Sequence, residues 1–176
     1  MENTSLQFNL GSVGERFGEL KFSFIVFENG NAHLQIWAHD PSNMRRSGVL
    51  LQLAEYGYRT LKQLLAKADE TIEKLRASGQ LLRMLVTYST DVSVRVNLGS
   101  VESYCGQISF SIVVQNDGSG HLQLYASDPT NLRKSGVIVV CDEQGLGSLK
   151  RLVQDTDDLI RRLSDQNQMK QLVVAS

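Results

Sequence analysis

The chain has 176 residues, 41% hydrophobic and 21% charged, with two prolines and a net charge of −1. That is a globular composition; no early apolar run resembles a signal peptide and none is long enough to span a bilayer, so the cytoplasm is the expected location. The charge divides into +1 over residues 1–88 and −2 over 89–176, which excludes a bulk field drawing the protein onto nucleic acid or anionic lipid; any basic site must be local.

Residues 6–10 alternate apolar and polar with period two, the pattern of a half-buried strand. The stretch from Gly11 to Gly18 is expected to turn the chain; its glycine spacing is not that of a phosphate loop, and no helix follows it. Residues 20–27 read as a second strand. Asn29-Gly30 then gives the strongest short-range hairpin signal, because both residues tolerate positive φ. A third strand covers residues 33–39 until Asp40-Pro41 ends it, since proline cannot donate to a ladder. A basic loop with Arg45 and Arg46 leads to a fourth strand over 49–53. The period then changes: Leu61, Leu64, Leu65, Ala68, Ile72 and Leu75 mark one apolar helix stripe. Gly57 is expected to break the chain before this helix, Thr60 to cap it and Ser78-Gly79 to end it. Residues 81–86 run almost directly into the next strand.

This unit is written twice. Leu34-Gln35-Ile36-Trp37-Ala38 returns 88 positions later as Leu122-Gln123-Leu124-Tyr125-Ala126. Asp40-Pro41 returns as Asp128-Pro129, and Arg45-Arg46-Ser47-Gly48-Val49 as Arg133-Lys134-Ser135-Gly136-Val137. The second hairpin falls at Asp117-Gly118. The second helix stripe is Leu149, Leu152, Val153, Thr156, Ile160 and Leu163, with Gly145 and Ser148 in the places of Gly57 and Thr60. Residues 169–174 echo 81–86. The expected fold is α+β: a tandem repeat in which each unit is a four-stranded antiparallel meander followed by one amphipathic helix. The two units, residues 1–88 and 89–176, lack a flexible linker and are expected to pack as an intrachain pseudo-dimer.

Alternation gives each sheet two faces. One is apolar in both copies and needs a cover, most simply the helix stripe. The other is mixed, with Lys21, Ser23, His33, Gln35, Trp37 and Gln52 in the first copy and Arg95, Ser111, His121, Gln123, Tyr125 and Val140 in the second. Hydrogen-bonding residues surround an aromatic, with the basic loop at the edge. Single-stranded nucleic acid needs that combination: bases stack on aromatic faces while cations follow the phosphates. Arg45, Arg46, Arg133 and Lys134 supply the cations, with Lys21 and Arg95 as additions, and Gln35 and Gln123 as matched polar contacts.

The strand-strand-strand-strand-helix order, with Asp-Pro, a polar loop, Arg-Arg/Lys, one residue, Gly and an apolar strand, resembles the positive cofactor four family of single-stranded DNA-binding coactivators and the related Pur-alpha and Whirly proteins. The resemblance covers most of each copy and implies binding of single strands across the sheet face away from the helix. The implied contacts are Trp37, Tyr125 and the two basic pairs, and the implied role is regulation of transcription or nucleic-acid processing. The arrangement of two units in one chain is similar to that of Pur-alpha. The chain departs from the family in lacking a Lys/Ser-rich tail and a basic balance.

Catalysis has less to stand on. His33 and His121 each follow a hairpin turn, and Asp40 and Asp128 begin another; no HExxH, paired cysteine ligands or nucleophile elbow is present. Cys105 and Cys141 stand where the first copy has Phe17 and Leu53, so both are expected to be reduced and packed. No metal or cofactor is expected, and self-association beyond the intrachain pair stays open. The alternative to a single-strand binder is a protein-interaction or assembly module that uses the mixed face as an interface.

Overall fold

The computed structural model describes residues 4–15, 17–43, 48–77, 94–114, 120–131, 133 and 136–173. They form an α+β fold with two sheets and two helices. The first sheet takes β1 (Ser5–Glu15), β2 (Gly18–Phe27), β3 (Asn31–His39) and β4 (Val49–Leu53) in that order, each antiparallel to its neighbour, and is followed by α1 (Glu55–Ala77). The second takes β5 (Val94–Ser103), β6 (Gly106–Val114), β7 (Gly120–Ser127) and β8 (Val137–Cys141) in the same way, followed by α2 (Glu143–Asp165). A short strand, β9 (Gln171–Leu172), returns to run parallel to the start of β3. It is positioned by Asn167, which closes α2 at a left-handed φ of 55° while Gln168 N–H bonds Leu163 O at 2.9 Å.

The stretch from Gly11 to Gly18 turns the chain as expected, but only at its far end, between Glu15 and Gly18. β1 runs on to Glu15 through a bulge: Asn9 pairs with Ser23 and Gly11 with Phe22, so Leu10 is the extra residue. β5 bulges at the same point, between Asn97 and Gly99. Gly11 and Gly99 take φ of 137° and 141°, a region that disfavours side chains. The bulge shifts the alternation by one, which brings Val13 and Val101 into the core. At the first hairpin, Gly30 alone takes positive φ (84°) and its N–H bonds Phe27 O at 2.9 Å. Asp117-Gly118, Ser78-Gly79 and residues 81–86 lie outside the described residues.

Both helices start earlier than expected. α1 begins at Glu55 and α2 at Glu143, so Gly57 and Gly145 sit in the first turns and Thr60 and Ser148 lie inside. Thr60 bonds back to Tyr56 O (3.0 Å). The cap of α2 is Asp142, whose carboxylate accepts from Gly145 N–H at 2.8 Å. Ala54 holds the corresponding place before α1, where Tyr58 N–H bonds its carbonyl, and its side chain offers no acceptor.

The helix stripes cover apolar sheet faces, but not chiefly their own. α1 lies against β5 and β6, and α2 against β1. The bulge glycines make this exchange fit: a Cβ on Gly11 would come within 2.9 Å of Leu152 Cδ2, and one on Gly99 within 3.1 Å of Leu64 Cδ2. Lys67 Nζ bonds Leu98 O at 3.0 Å, tying α1 to the second bulge. The helices also pair with each other, through Lys62 and Asp157 at 3.2 Å and through Lys150 and Asp69. Buried residues of both halves form one core cluster that includes Phe22, Phe24, Leu61, Phe110, Ile112 and Leu149. The outer edges of β4 and β8 are covered by hairpins of the opposite sheet: Gly18 lies against Ile138 O, and Gly106 against Leu50 O.

Cys141 is buried, and burial with the Asp142 carboxylate nearby pushes its thiol up to about 12. Cys105 is a free thiol too but is exposed, contrary to the packed position expected of it. It stands in the β5–β6 turn, and its counterpart Phe17 is itself 70% exposed; an apolar partner in the repeat marked a turn, not a core site.

Candidate nucleic-acid interface

The face of each sheet away from the helices is laid out in rows across the strands. In the first sheet, Ser12, Lys21, Trp37 and Leu50 form one row and Asn9, Ser23, Gln35 and Gln52 the next. In the second sheet the corresponding rows are Ser100, Ser109, Tyr125 and Ile138, then Asn97, Ser111, Gln123 and Val140. Trp37 is 38% exposed and Tyr125 40%, so neither ring is shut between the two halves.

Each ring has a seat that alternation alone did not announce. A Cβ on Gly48 would fall 2.4 Å from Trp37 Cζ2, and one on Gly136 would fall 2.3 Å from Tyr125 Cε2. Both rings therefore pack against a glycine at the end of the basic loop, in space that a Cβ would occupy. A signal for it was in the sequence: each glycine follows a basic pair by one residue and directly precedes the fourth strand of its sheet. Trp37 is further steadied by His39, with centroids 6.3 Å apart and planes 20° from parallel. His39 in turn lies 3.2 Å from Glu19.

The loops leave β3 and β7 through matched turns. Asp40 Oδ1 accepts from Ser42 N–H at 2.9 Å and Asp128 Oδ1 from Thr130 N–H at 3.0 Å. Asn43 N–H and Asn131 N–H bond the Asp40 and Asp128 carbonyls at 3.1 Å. The two aspartates thus initiate turns, a use that fits their short acceptor side chains. Arg133 follows, exposed, with its N–H on Asn131 Oδ1 (3.2 Å). Arg45, Arg46 and Lys134 lie outside the described residues.

Lys21 is exposed and directly opposite Trp37, the one cation among the described residues that a strand pairing sets beside an aromatic of this face. Arg95 is exposed but pairs with Val113, four residues along β6 from the residue opposite Tyr125, about 13 Å away. It does not join the Tyr125 group. No family model, curated protein or solved structure matches this chain.

The far end of the mixed face is closed. His33, which alternation put on the mixed face, is buried, and so are Ile25 and Val113 on the same side of their sheets. Burial holds the His33 imidazole below its ordinary value, partly opposed by the neighbouring Gln35, and does the same for His121. His33 also packs on Phe27, 5.6 Å between centroids. His33 is thus packed inside, whereas His121 is part-buried. Elsewhere, a cleft of about 630 Å³ is lined by Asp69, Glu70, Glu73, Asp142 and Glu143 beside Lys150 and His121; that carboxylate excess repels a phosphate chain. No helix among the described residues is long and apolar enough to cross a membrane.

Proposed function

We propose that this protein binds single-stranded DNA or RNA across the sheet faces opposite the helices, acting in the cytoplasm as a regulator of transcription or nucleic-acid processing. The observation that carries the reading is the pair Trp37 and Tyr125: equivalent, part-exposed rings, each held over a glycine at the mouth of a basic loop. Their exposed parts would take a base by stacking, which contributes roughly 1–3 kcal/mol per base. The nearby cations would follow the phosphates, and the exchange of helices favours two units, residues 1–88 and 89–176, joined as an intrachain pseudo-dimer. Its reciprocal ion pairs, Lys62 with Asp157 and Lys150 with Asp69, support that arrangement. The resemblance to the positive cofactor four, Pur-alpha and Whirly proteins points the same way. This is a binding role, not a catalytic one.

The test is a titration with fluorescent poly-dT and poly-U oligonucleotides at two salt concentrations. Affinity tighter than ~100 μM at low salt is expected, with duplex DNA much weaker because its bases are already stacked. Replacing Arg45 and Arg46 by alanine flattens the slope of log K against log salt by about 0.7 for each phosphate that is no longer neutralised. Absence of single-strand binding would overturn the reading. A second reading, an assembly module, draws on one observation: Phe17, Ile138 and Val140 are 70%, 49% and 53% exposed and line a groove of about 390 Å³ beside α2. Sedimentation of the protein without nucleic acid tests it, since a monomer at high concentration removes self-association through that patch.

A further inference from the structure

We infer, resting on the single-strand reading, that the two faces are unequal: the first sheet reads the edge of a base through the Gln52 amide, a group that the second sheet lacks. The row beside Trp37 is polar across all four strands, from Asn9 through Ser23 and Gln35 to Gln52. Its outer part is a linked network, with Gln7 Nε2 donating towards Asn9 Oδ1 and Ser23 Oγ and Ser23 Oγ towards Asn9 Oδ1, each at 3.3 Å. At its inner end the Gln52 side-chain amide has no hydrogen bond among the described residues. Its backbone N–H meets Ser103 Oγ at 3.4 Å, so the strand under it is held from the opposite sheet.

A primary amide carries a donor and an acceptor side by side, the pattern that a base edge presents in complement. Gln52 is the direct cross-strand partner of Gln35 and the diagonal neighbour of Trp37, within reach of a long side chain. A base stacked on Trp37 removes water from this half-buried amide. Any base that fails to match it then leaves polar atoms unpaired, and that penalty is the source of selectivity. In the second sheet the same row ends in Val140, which can reject nothing by hydrogen bonding. Lys21 beside Trp37 is likewise replaced by Ser109 beside Tyr125, so the second face lacks the adjacent cation too.

The experiment compares dT, dC and dA 12-mers by fluorescence anisotropy on the full chain. The expected ratio between the tightest and weakest of the three is about tenfold, the scale of one well-made amide–base pairing. Gln52→Val, which gives the first sheet the residue of the second, should compress the ratio below about threefold while retaining binding; Gln52→Met, which keeps length and removes both polar atoms, should do the same. Circular dichroism on each variant checks that the sheet persists. Tyr125→Ala should weaken all three oligonucleotides by a common factor. If the ratio survives both Gln52 variants while Trp37→Ala still weakens every oligonucleotide, the inference is overturned and the binding reading stands. If no oligonucleotide binds the wild type, both fall.

Discussion

The faces of the two sheets start from the same plan and end with different chemistry. Both present an aromatic over a glycine, a serine–glutamine pair behind it and an Asp-Pro turn beside it. Around Trp37 the remaining positions are Lys21, His39, Glu19 and Gln52; around Tyr125 they are Ser109, Ser127, Gln107 and Val140. The shared part makes a platform, and the part that differs sets a lysine and a second glutamine beside one platform only. What the repeat keeps thus describes the fold and the seat of the aromatic, and what it changes describes the side chains around that seat.

The largest expected effects test the part the halves share. Leu64→Ala and Leu152→Ala each remove a buried side chain from the helix exchange and should cost about 2–5 kcal/mol by denaturant unfolding. Leu64→Ala should lower hydrogen-exchange protection in β5 and β6, in the half of the chain that does not contain the mutation. A fall in protection confined to β1–β4 would contradict the packing.

Next come the aromatics, where the halves should part. Trp37→Ala and Tyr125→Ala should each weaken single-strand binding by roughly 1–3 kcal/mol, with Trp37 at the upper end, and leave the salt slope nearly unchanged. Equal effects at the two positions would mean that the two rings stack a base equally well. A smaller effect of opposite sign lies at the helix starts. Ala54→Asp should give α1 the cap that Asp142 gives α2 and raise stability by about 1 kcal/mol, and Asp142→Ala should lower it by a similar amount. Thermal melts of both variants decide this.

The effect of pH is gentler. His33 is protonated less readily when folded than its ordinary value of 6.5. Its contribution to stability is therefore complete above that value and declines as pH falls below it, because only the unfolded chain takes the proton freely. Melting temperature should drop between pH 7 and 5, and His33→Phe should flatten the drop. Smallest of all, Lys62→Ala and Lys150→Ala should cost about 0.2–1 kcal/mol, since both ion pairs are part-exposed. Lys62 should be the costlier, because its partner Asp157 also accepts from the buried Tyr58 hydroxyl at 2.6 Å. Burial, reinforced by that carboxylate, pushes the Tyr58 hydroxyl above its usual range.

Local pattern was legible and partnership was not. Period two located the start of β1 but not its run past the bulge to Glu15, and β4 starts and ends where alternation puts it. Period 3.6 marked the stripes that are buried at Leu61, Leu65, Ala68, Leu149 and Leu163. An apolar stripe states that a helix needs an apolar face but not which of two equivalent faces it will take, so the exchange was invisible. Gly57 and Gly145 looked like breaks because helix interiors disfavour glycine, yet the first turn tolerates them where a strand passes straight into a helix. At the candidate site, the positions of Trp37, Tyr125 and Lys21 on one kind of face followed from alternation. The burial of His33 and Ile25 did not, because alternation assigns a side and says nothing about what else rests on it.

The exchange of helices has a consequence for how far the two faces could diverge. A body of this shape assembled from two identical 88-residue chains would obey a strict two-fold rule, and every substitution would appear on both faces at once. One continuous chain lifts that rule. Each helix can be tuned to the sheet it covers, and each face can carry residues that the other lacks. Gln52 opposite Val140, Lys21 opposite Ser109, and an acid cap before only one of two matching helices are forms of broken symmetry that no pair of identical chains could hold.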